Sequence, residues 1–193
     1  MIAVPSPLTL EAFLTLPIIE DSPAWEFIDG EPIQKPMPGG KHSRLQARLT
    51  AAINTAALGT AISTHEALPE LRCTVADRSM VPNIAVIAQD RIPVDQNGDI
   101  ASSGITFAPD WLIEILSPDQ NQTRVTRKIL YCLRHGSQMG WLIDPDERVV
   151  LVYRPDRLPD ELAGDEVLPT IDAVPLDLTA AQLFEWLKVG ATR

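Results

Sequence analysis

The stretch PDWLIEILSP, residues 109–118, decides the fold prediction, because it places one carboxylate inside a run of apolar side chains. The residues on both sides of Glu114 are large and apolar, so residues 111–116 are predicted to form a strand that is buried on both faces. An ionised glutamate is seldom buried without a partner cation or a metal. Glu114 is therefore predicted to be paired with a cation, to ligate a metal or to be held neutral. A strand-edge carboxylate that faces solvent is the alternative.

Outward from this strand, the spacing of apolar residues predicts a mixed α/β (α+β) fold with a central sheet flanked by helices. Apolar residues recur every three or four positions in two long segments, which predicts helices over residues 42–58 and 122–134. Shorter helices are predicted over residues 9–16 and 178–187. An Asp29-Gly30 turn predicts a hairpin of residues 25–28 and 31–35. Further strands are predicted over residues 61–66, 70–75, 83–88, 139–143 and 149–153.

Length and composition predict one domain that spans residues 1–193, with 45% hydrophobic residues available for its core. No apolar run approaches the roughly 20 residues of a membrane span, and no signal peptide is recognisable at the N-terminus. Cys73 and Cys132 are far apart and lack metal-ligand spacing, so both are expected to be reduced core residues of a cytoplasmic protein. A symmetric homodimer is the commonest oligomer and stays open.

The charge balance is acidic, with 26 acidic residues against 16 basic ones and a formal net charge of −10. This balance argues against a protein that coats nucleic acid, because such binding depends on neutralising phosphates. The basic residues concentrate within residues 35–48 and 124–134. A nuclease with a local basic patch is therefore compatible with the composition.

Three polar residues are the strongest candidates for a site. Glu114 lies in the apolar strand, Asn83 begins a second apolar strand, and Lys128 follows on the second long helix. A carboxylate, a polar neighbour and a lysine are the arrangement of a metal-dependent phosphodiesterase. Carboxylate oxygens are the ligands that Mg²⁺ and Mn²⁺ prefer. The alternative for Lys128 is an ordinary solvated helix lysine.

Five more residues have weaker signals. Glu26 alternates with large apolar residues in its strand, so it can point to the opposite face. Arg124 and Arg127 lie close to Lys128 along the helix and border it on part of the helix surface. His42 and Arg44 lie in the first turn of the first long helix. A solvated basic stripe and a capping histidine are the alternatives.

Six segments, taken together and in order, resemble the Uma2 family. These segments are WEFIDGE (25–31), a histidine that opens a helix (42), PNIAV (82–86), IEILSP (113–118), KILY (128–131) and GWLIDP (140–145). The resemblance covers roughly residues 8–190. Uma2 proteins are restriction-endonuclease-like proteins, formerly a domain of unknown function, and the family resembles the PD-(D/E)XK nuclease superfamily.

The resemblance implies a restriction-endonuclease-like fold and divalent-metal-dependent hydrolysis of DNA phosphodiester bonds. It implies that Glu114 is the central Mg²⁺ or Mn²⁺ ligand, with Glu26 as the acidic residue from the N-terminal segment. The superfamily's lysine normally stands two residues after the glutamate, where this chain has Leu116, and the Uma2 pattern supplies Lys128 from the following helix instead. The expected DNA contacts are Arg124, Arg127, His42 and Arg44.

One position departs from the family pattern, because the expected Pro-Asp is Pro82-Asn83 in this chain. An asparagine offers a carbonyl oxygen as a metal ligand but no negative charge, so weaker metal binding is expected. This substitution favours an alternative in which a catalytically degenerate nuclease fold acts as a binding or regulatory module. A further alternative is an interaction protein whose Glu114 is neutral in the core.

Overall fold

The computed structural model describes residues 8–58, 65–118 and 120–190, and it confirms the mixed α/β prediction. The helices are α1 (Leu10–Leu14), α2 (Gly40–Leu58), α3 (Gln122–Arg134) and α4 (Ala180–Glu185), with short 3-10 helices at Pro17–Glu20 and Gln89–Arg91. The strands are β1 (Trp25–Ile28), β2 (Glu31–Gln34), β3 (His65–Pro69), β4 (Cys73–Val75), β5 (Arg78–Met80), β6 (Ile84–Ala88), β7 (Trp111–Ile115), β8 (Met139–Asp144), β9 (Val149–Tyr153) and β10 (Asp160–Leu162).

The larger sheet has six strands in the order β10-β9-β8-β7-β6-β3. The pairing of β7 with β8 is parallel, whereas the other strand pairs described in this sheet are antiparallel. Parallel neighbours need a crossover connection, and α3 provides it between β7 and β8. This topology places α3 against the strand that carries Glu114.

The smaller sheet has four strands in the order β2-β1-β5-β4, and Pro32 lies on its edge strand. Edge strands tolerate proline because one side of the strand makes no ladder hydrogen bonds. The hairpin turn has positive φ angles at Asp29 and Gly30, as predicted. The predicted strand over residues 70–75 is confirmed for residues 73–75, but its predicted start is wrong, because the chain turns at Glu70 with φ 51° and β4 begins only at Cys73. Residues 61–64 of another predicted strand lie outside the described residues.

The side chains of β7 alternate between two apolar cores, one on each face of the larger sheet. Trp111, Ile113 and Ile115 pack with α2 and α4, whereas Leu112 packs with α3 and the smaller sheet. Because alternate residues of a strand share a face, Glu114 points to the same side as Leu112. The one carboxylate of this strand therefore faces α3 and the smaller sheet.

No helix within the described ranges is long and apolar enough to cross a membrane. Cys73 and Cys132 are buried and carry free thiols. Both belong to the core between α3 and the sheets, as their apolar sequence context predicts.

Candidate active site

Glu114 is the most deeply buried carboxylate of the candidate site, with 1% of its surface exposed. It lies near the end of β7, where all five strand residues are buried. A buried carboxylate requires compensation by a cation or by hydrogen bonds, since burial strips its hydration. The structure supplies a cation from the crossover helix.

The crossover helix α3 brings Lys128 to Glu114. Asn121 caps the helix by accepting a hydrogen bond from the backbone N–H of Arg124 at 3.1 Å. Lys128 lies on the inner face of α3, and its Nζ is 2.8 Å from Glu114 Oε1. Close packing of α3 on β8 depends on Gly140, where an added Cβ would lie 2.3 Å from Ile129 Cγ2. The glycine therefore lets the helix approach the sheet at the residue next to the lysine.

Glu26 comes from the smaller sheet and completes a group of three charges. Its Oε1 accepts hydrogen bonds from Lys128 Nζ at 2.8 Å and from the backbone N–H of Val81 at 2.7 Å. Glu26, Glu114 and Lys128, called here the buried triad, are all at least nine-tenths buried. The structure thus brings together three of the residues that the sequence analysis selected as site candidates and that we predict to be catalytic.

Burial and pairing act against each other in the buried triad. Burial raises the pKa of Glu114 above its ordinary value, and the positive charge of Lys128 opposes that rise. Burial alone would lower the pKa of Lys128, but Glu114 and Glu26 outweigh it and raise the lysine pKa well above its ordinary value. Lys128 therefore stays protonated at neutral pH and is the cation that the isolated carboxylate on β7 requires.

Asn83 lies immediately before β6, next to the triad. Ile84 pairs with Ile113 across β6 and β7, so Asn83 lies beside the Glu114 end of β7. Its Oδ1 accepts a hydrogen bond from the backbone N–H of Ile115 at 2.8 Å, and its Nδ2 donates to Glu70 Oε1 at 3.0 Å. The asparagine amide thus connects the Glu114 strand to a second carboxylate.

The family model described as Uma2, "Putative restriction endonuclease", matches residues 10–185 of this chain. The chain belongs to the Uma2 family. A solved structure titled as a "putative nuclease belonging to DUF820 from Anabaena variabilis ATCC 29413" has a TM-score of 0.87 to this chain and 50% sequence identity, covering 94% of this chain and 100% of the other. No curated protein matches the chain. The resemblance found in the sequence motifs is confirmed.

The Uma2 chain has a second carboxylate–lysine group, which the sequence analysis missed. Glu70 Oε2 and Lys35 Nζ are 2.5 Å apart, and Lys35 also donates to the backbone carbonyl of Val81 at 2.9 Å. Gln46 on α2 donates to Glu70 Oε1 at 2.9 Å and to the backbone carbonyl of Asn83 at 2.8 Å. Lys35 and Glu70 are called here the pocket pair.

The pocket pair lines a cavity of about 450 Å³, whereas no residue of the buried triad lines it. Asn83 and His42 also line this cavity. Because Asn83 touches both the cavity and the Glu114 strand, its side chain lies between the two charged groups. A ligand in the cavity would therefore contact the pocket pair, Asn83 and His42 rather than Glu114.

The four predicted DNA-contact residues lie in different environments. His42 is buried on α2. Arg44 is half-buried and donates to the backbone carbonyls of Trp186 and Lys188, which ties α2 to the C-terminal segment. Arg124 and Arg127 are exposed on α3. Of these four side chains, the two α3 arginines are the ones that solvent reaches freely, so they are the better DNA-contact candidates.

The donor groups of this Uma2 site fit a hard divalent cation. No three His, Cys, Asp or Glu side chains form a metal-binding group among the residues that the structure describes. Mg²⁺ usually takes only one or two protein carboxylates and keeps several waters, so it does not need such a group. Glu114 Oε1 is buried and lies 2.8 Å from Lys128 Nζ, so the ammonium occupies one of its two lone pairs. The other lone pair can bind a cation.

Proposed function

We propose that this Uma2 protein is a divalent-metal-dependent endonuclease that hydrolyses DNA phosphodiester bonds. The observation that supports the proposal most strongly is that two buried carboxylates, Glu114 and Glu26, share Lys128 as their cation, so the buried triad has a net negative charge. A structural ion pair alone does not need two buried carboxylates on one lysine, since the surplus negative charge is unfavourable in the core. A cation at this position would neutralise that surplus.

Each residue of the proposed site has a distinct task. Glu114 would be the principal ligand for Mg²⁺ or Mn²⁺, with Asn83 Oδ1 and Glu26 contributing oxygens. Such a cation, when bound, supplies charge neutralisation at the phosphate and makes a water more acidic. Lys128 fixes both carboxylates and adds positive charge where negative charge develops on a phosphate.

DNA would approach from the side of the cavity. Lys35 lines the cavity, and the exposed Arg124 and Arg127 lie on the helix that carries Lys128. Arg72 also lines the cavity, but its guanidinium donates to the backbone carbonyls of Trp25 and Ile19. Arginine and lysine side chains neutralise phosphates and position the duplex without reading its sequence. The strongly acidic remainder of the chain then limits binding to this basic region.

The proposal is tested by nicking of supercoiled plasmid in Mg²⁺ and Mn²⁺ with the wild type, Glu114→Gln and Glu161→Gln. Glu161 is an exposed residue of β10, at the edge of the sheet opposite β3, and serves as a matched carboxylate control. We expect nicking by the wild type and the control and none by Glu114→Gln, whose folding is checked by circular dichroism. Nicking by Glu114→Gln at the wild-type rate would contradict the assigned role, and no metal-dependent nicking by the wild type would contradict the proposed activity.

A second candidate function is a DNA-binding or regulatory module without catalysis. The observation that favours it is that Asn83 has no charge and its Oδ1 is already used by the backbone N–H of Ile115. It predicts duplex binding, measured by fluorescence anisotropy, that is equal with Mg²⁺ and with a chelator. The double substitution Arg124→Gln/Arg127→Gln should then reduce the slope of log affinity against log salt by about 1 for each phosphate that an arginine no longer neutralises.

A further inference from the structure

Glu70 occupies a turn that holds its carboxylate against Asn83. Pro69 pairs with Ile84 in the β3–β6 ladder, so the next residue along β3 comes level with Asn83. The backbone N–H of Glu70 donates to the Asn83 carbonyl at 3.2 Å, and the left-handed conformation of Glu70 then turns the chain away from the sheet. Backbone pairing therefore fixes the carboxylate beside the position where the family pattern has an aspartate.

The side chains of residues 70 and 83 form an amide–carboxylate pair. Asn83 Nδ2 donates to Glu70 Oε1 at 3.0 Å, while Asn83 Oδ1 faces the backbone of β7. The negative charge missing from residue 83 is thus present one hydrogen bond away. The asparagine side chain lies between β7 and the Glu70 carboxylate, so the negative charge is located at the cavity instead of beside the strand.

Glu70 is ionised and reachable from solvent, unlike Glu114. Burial raises the pKa of Glu70, but Lys35 and three side-chain hydrogen bonds outweigh burial and lower the pKa below its ordinary value. Its side chain is 41% exposed, against 1% for Glu114. Ionised carboxylates accept about four hydrogen bonds, and the described side-chain donors to Glu70 are Lys35, Gln46 and Asn83.

His42 gives a second, independent indication of a ligand in the same cavity. It lines the cavity, is 5% exposed, and its Nδ1 has no hydrogen-bond partner among the described residues. The ring also lies against the Asn83 side chain, so the histidine stands next to the amide that contacts Glu70. An unpartnered imidazole nitrogen and an ionised carboxylate on one cavity are typical ligands for a divalent transition metal.

We infer that Glu70 supplies the acidic metal ligand that residue 83 lacks, so that the cavity takes a divalent cation such as Mn²⁺ through Glu70 with His42 close by. The inference rests on the proposed function, since it adds Glu70 as a metal ligand through Asn83, which contacts both the Glu114 strand and Glu70. Lys35 competes with the cation for Glu70 Oε2, because both are positive and both need the same oxygen. Metal binding therefore releases Lys35 from Glu70.

The test is calorimetric titration of Mn²⁺ at neutral pH, so that its readout is independent of cleavage. The variants are Glu70→Gln, the exchange variant Asn83→Asp/Glu70→Gln, Asn83→Asp alone and the control Glu161→Gln. The exchange variant keeps one amide and one carboxylate facing each other and moves the charge back to residue 83. We expect Glu70→Gln to weaken Mn²⁺ binding about tenfold or more, and we expect the exchange variant to recover it.

Three other outcomes would each overturn the inference. Wild-type affinity in Glu70→Gln overturns the role of Glu70 while leaving the proposed nuclease intact, since Glu114 would then hold the metal alone. Weakened binding that the exchange variant does not recover also overturns it, because Glu70 would then act only by positioning its neighbours. Binding by Asn83→Asp but not by the wild type overturns the inference and the proposed activity together.

Discussion

The buried triad and the pocket pair contain the same chemical groups, carboxylates and a lysine, but they differ in access to water. The Glu114 and Lys128 side chains of the triad are 1% and 5% exposed, whereas the Glu70 side chain of the pocket pair is 41% exposed. A charge that loses its partner in the core keeps its desolvation penalty, whereas one at a cavity mouth is hydrated again. Loss of a charge from the triad is therefore expected to lower stability more than loss of a charge from the pocket pair.

The comparison predicts its largest effect for Lys128→Met, which removes the cation and leaves two carboxylates in the core. We expect a loss of about 3–5 kcal/mol in the free energy of unfolding, measured by urea denaturation. Lys188→Met is the matched control, because Lys188 pairs with Glu185 at the surface and should change stability by less than about 1 kcal/mol.

The loss in Lys128→Met should also depend on pH. Burial already raises the pKa of Glu114 against the opposing charge of Lys128, so without the lysine that pKa rises further. The variant should therefore recover stability relative to the wild type as the pH falls toward about 5, since the proton replaces the missing cation. A small loss of stability, or a loss that grows as the pH falls, would mean that the buried carboxylates do not depend on Lys128 to compensate their charge.

A smaller effect is predicted for Gly140→Ala, which tests how the triad is positioned. The new Cβ would meet Ile129 Cγ2 at 2.3 Å, so α3 must shift away from β8 and carry Lys128 with it. We expect a loss of about 1–3 kcal/mol, the usual effect of overpacking. Adding Ile129→Ala should make the double variant lose less than the sum of the two single losses, because the clash is relieved.

The control for that experiment is Gly39→Ala, since a Cβ at Gly39 meets nothing within 4 Å. Its stability should stay within about 0.5 kcal/mol of the wild type. If losses of Gly140→Ala and Ile129→Ala simply add, the close approach of helix and strand does not position Lys128.

The two groups also differ in how far sequence predicts them. The triad's Glu114 and Lys128 lie on elements with strong apolar patterns: α3 has the predicted bounds of residues 122–134, and β7 differs from its prediction by one residue. In such elements a lone charged residue is conspicuous, because it interrupts the apolar pattern. Glu26 gives a weaker signal, because it alternates with the large apolar residues of β1 instead of interrupting a continuous apolar run. That is why all three residues could be selected before their contacts were known.

Glu70 could not be selected in the same way, because it lies in a polar turn between short strands. Its partners Lys35, Gln46 and Asn83 come from three other segments, and side-chain periodicity carries no information about such contacts. A correct end for β3 at Pro69 would have identified it, since pairing of Pro69 with Ile84 brings residue 70 level with residue 83. Beginning the next predicted strand at residue 70 instead of Cys73 concealed that register.

The pocket pair should tolerate loss of its lysine, in contrast with the triad. Lys35→Met keeps the aliphatic stem, and Glu70 is left with hydrogen bonds from Gln46 and Asn83 and with access to water. We expect a loss of about 1 kcal/mol or less in urea denaturation. A loss of stability equal to that of Lys128→Met would show that water does not compensate the charge of Glu70 when Lys35 is removed.

The smallest predicted effect is a pH dependence that belongs to the cavity alone. Burial lowers the pKa of His42 below its ordinary value of 6.5, although Asn83 and Glu70 favour the protonated ring and Lys35 opposes it. The unfolded chain therefore takes up a proton at His42 before the folded chain does, so the wild type loses stability as the pH falls below about 6.5. Lys128, whose pKa is raised, keeps its charge throughout this range.

His42→Gln removes the titrating group from the cavity and leaves the triad unchanged. The difference in unfolding free energy between wild type and His42→Gln should favour the wild type more at pH 7.5 than at about pH 5.5. Only the wild type has a His42 side chain that binds a proton more readily in the unfolded chain than in the folded one. Urea titrations across this range measure that difference. Parallel pH profiles would mean that His42 has the same pKa in the folded and the unfolded chain. Burial in the cavity would then not lower the pKa of His42.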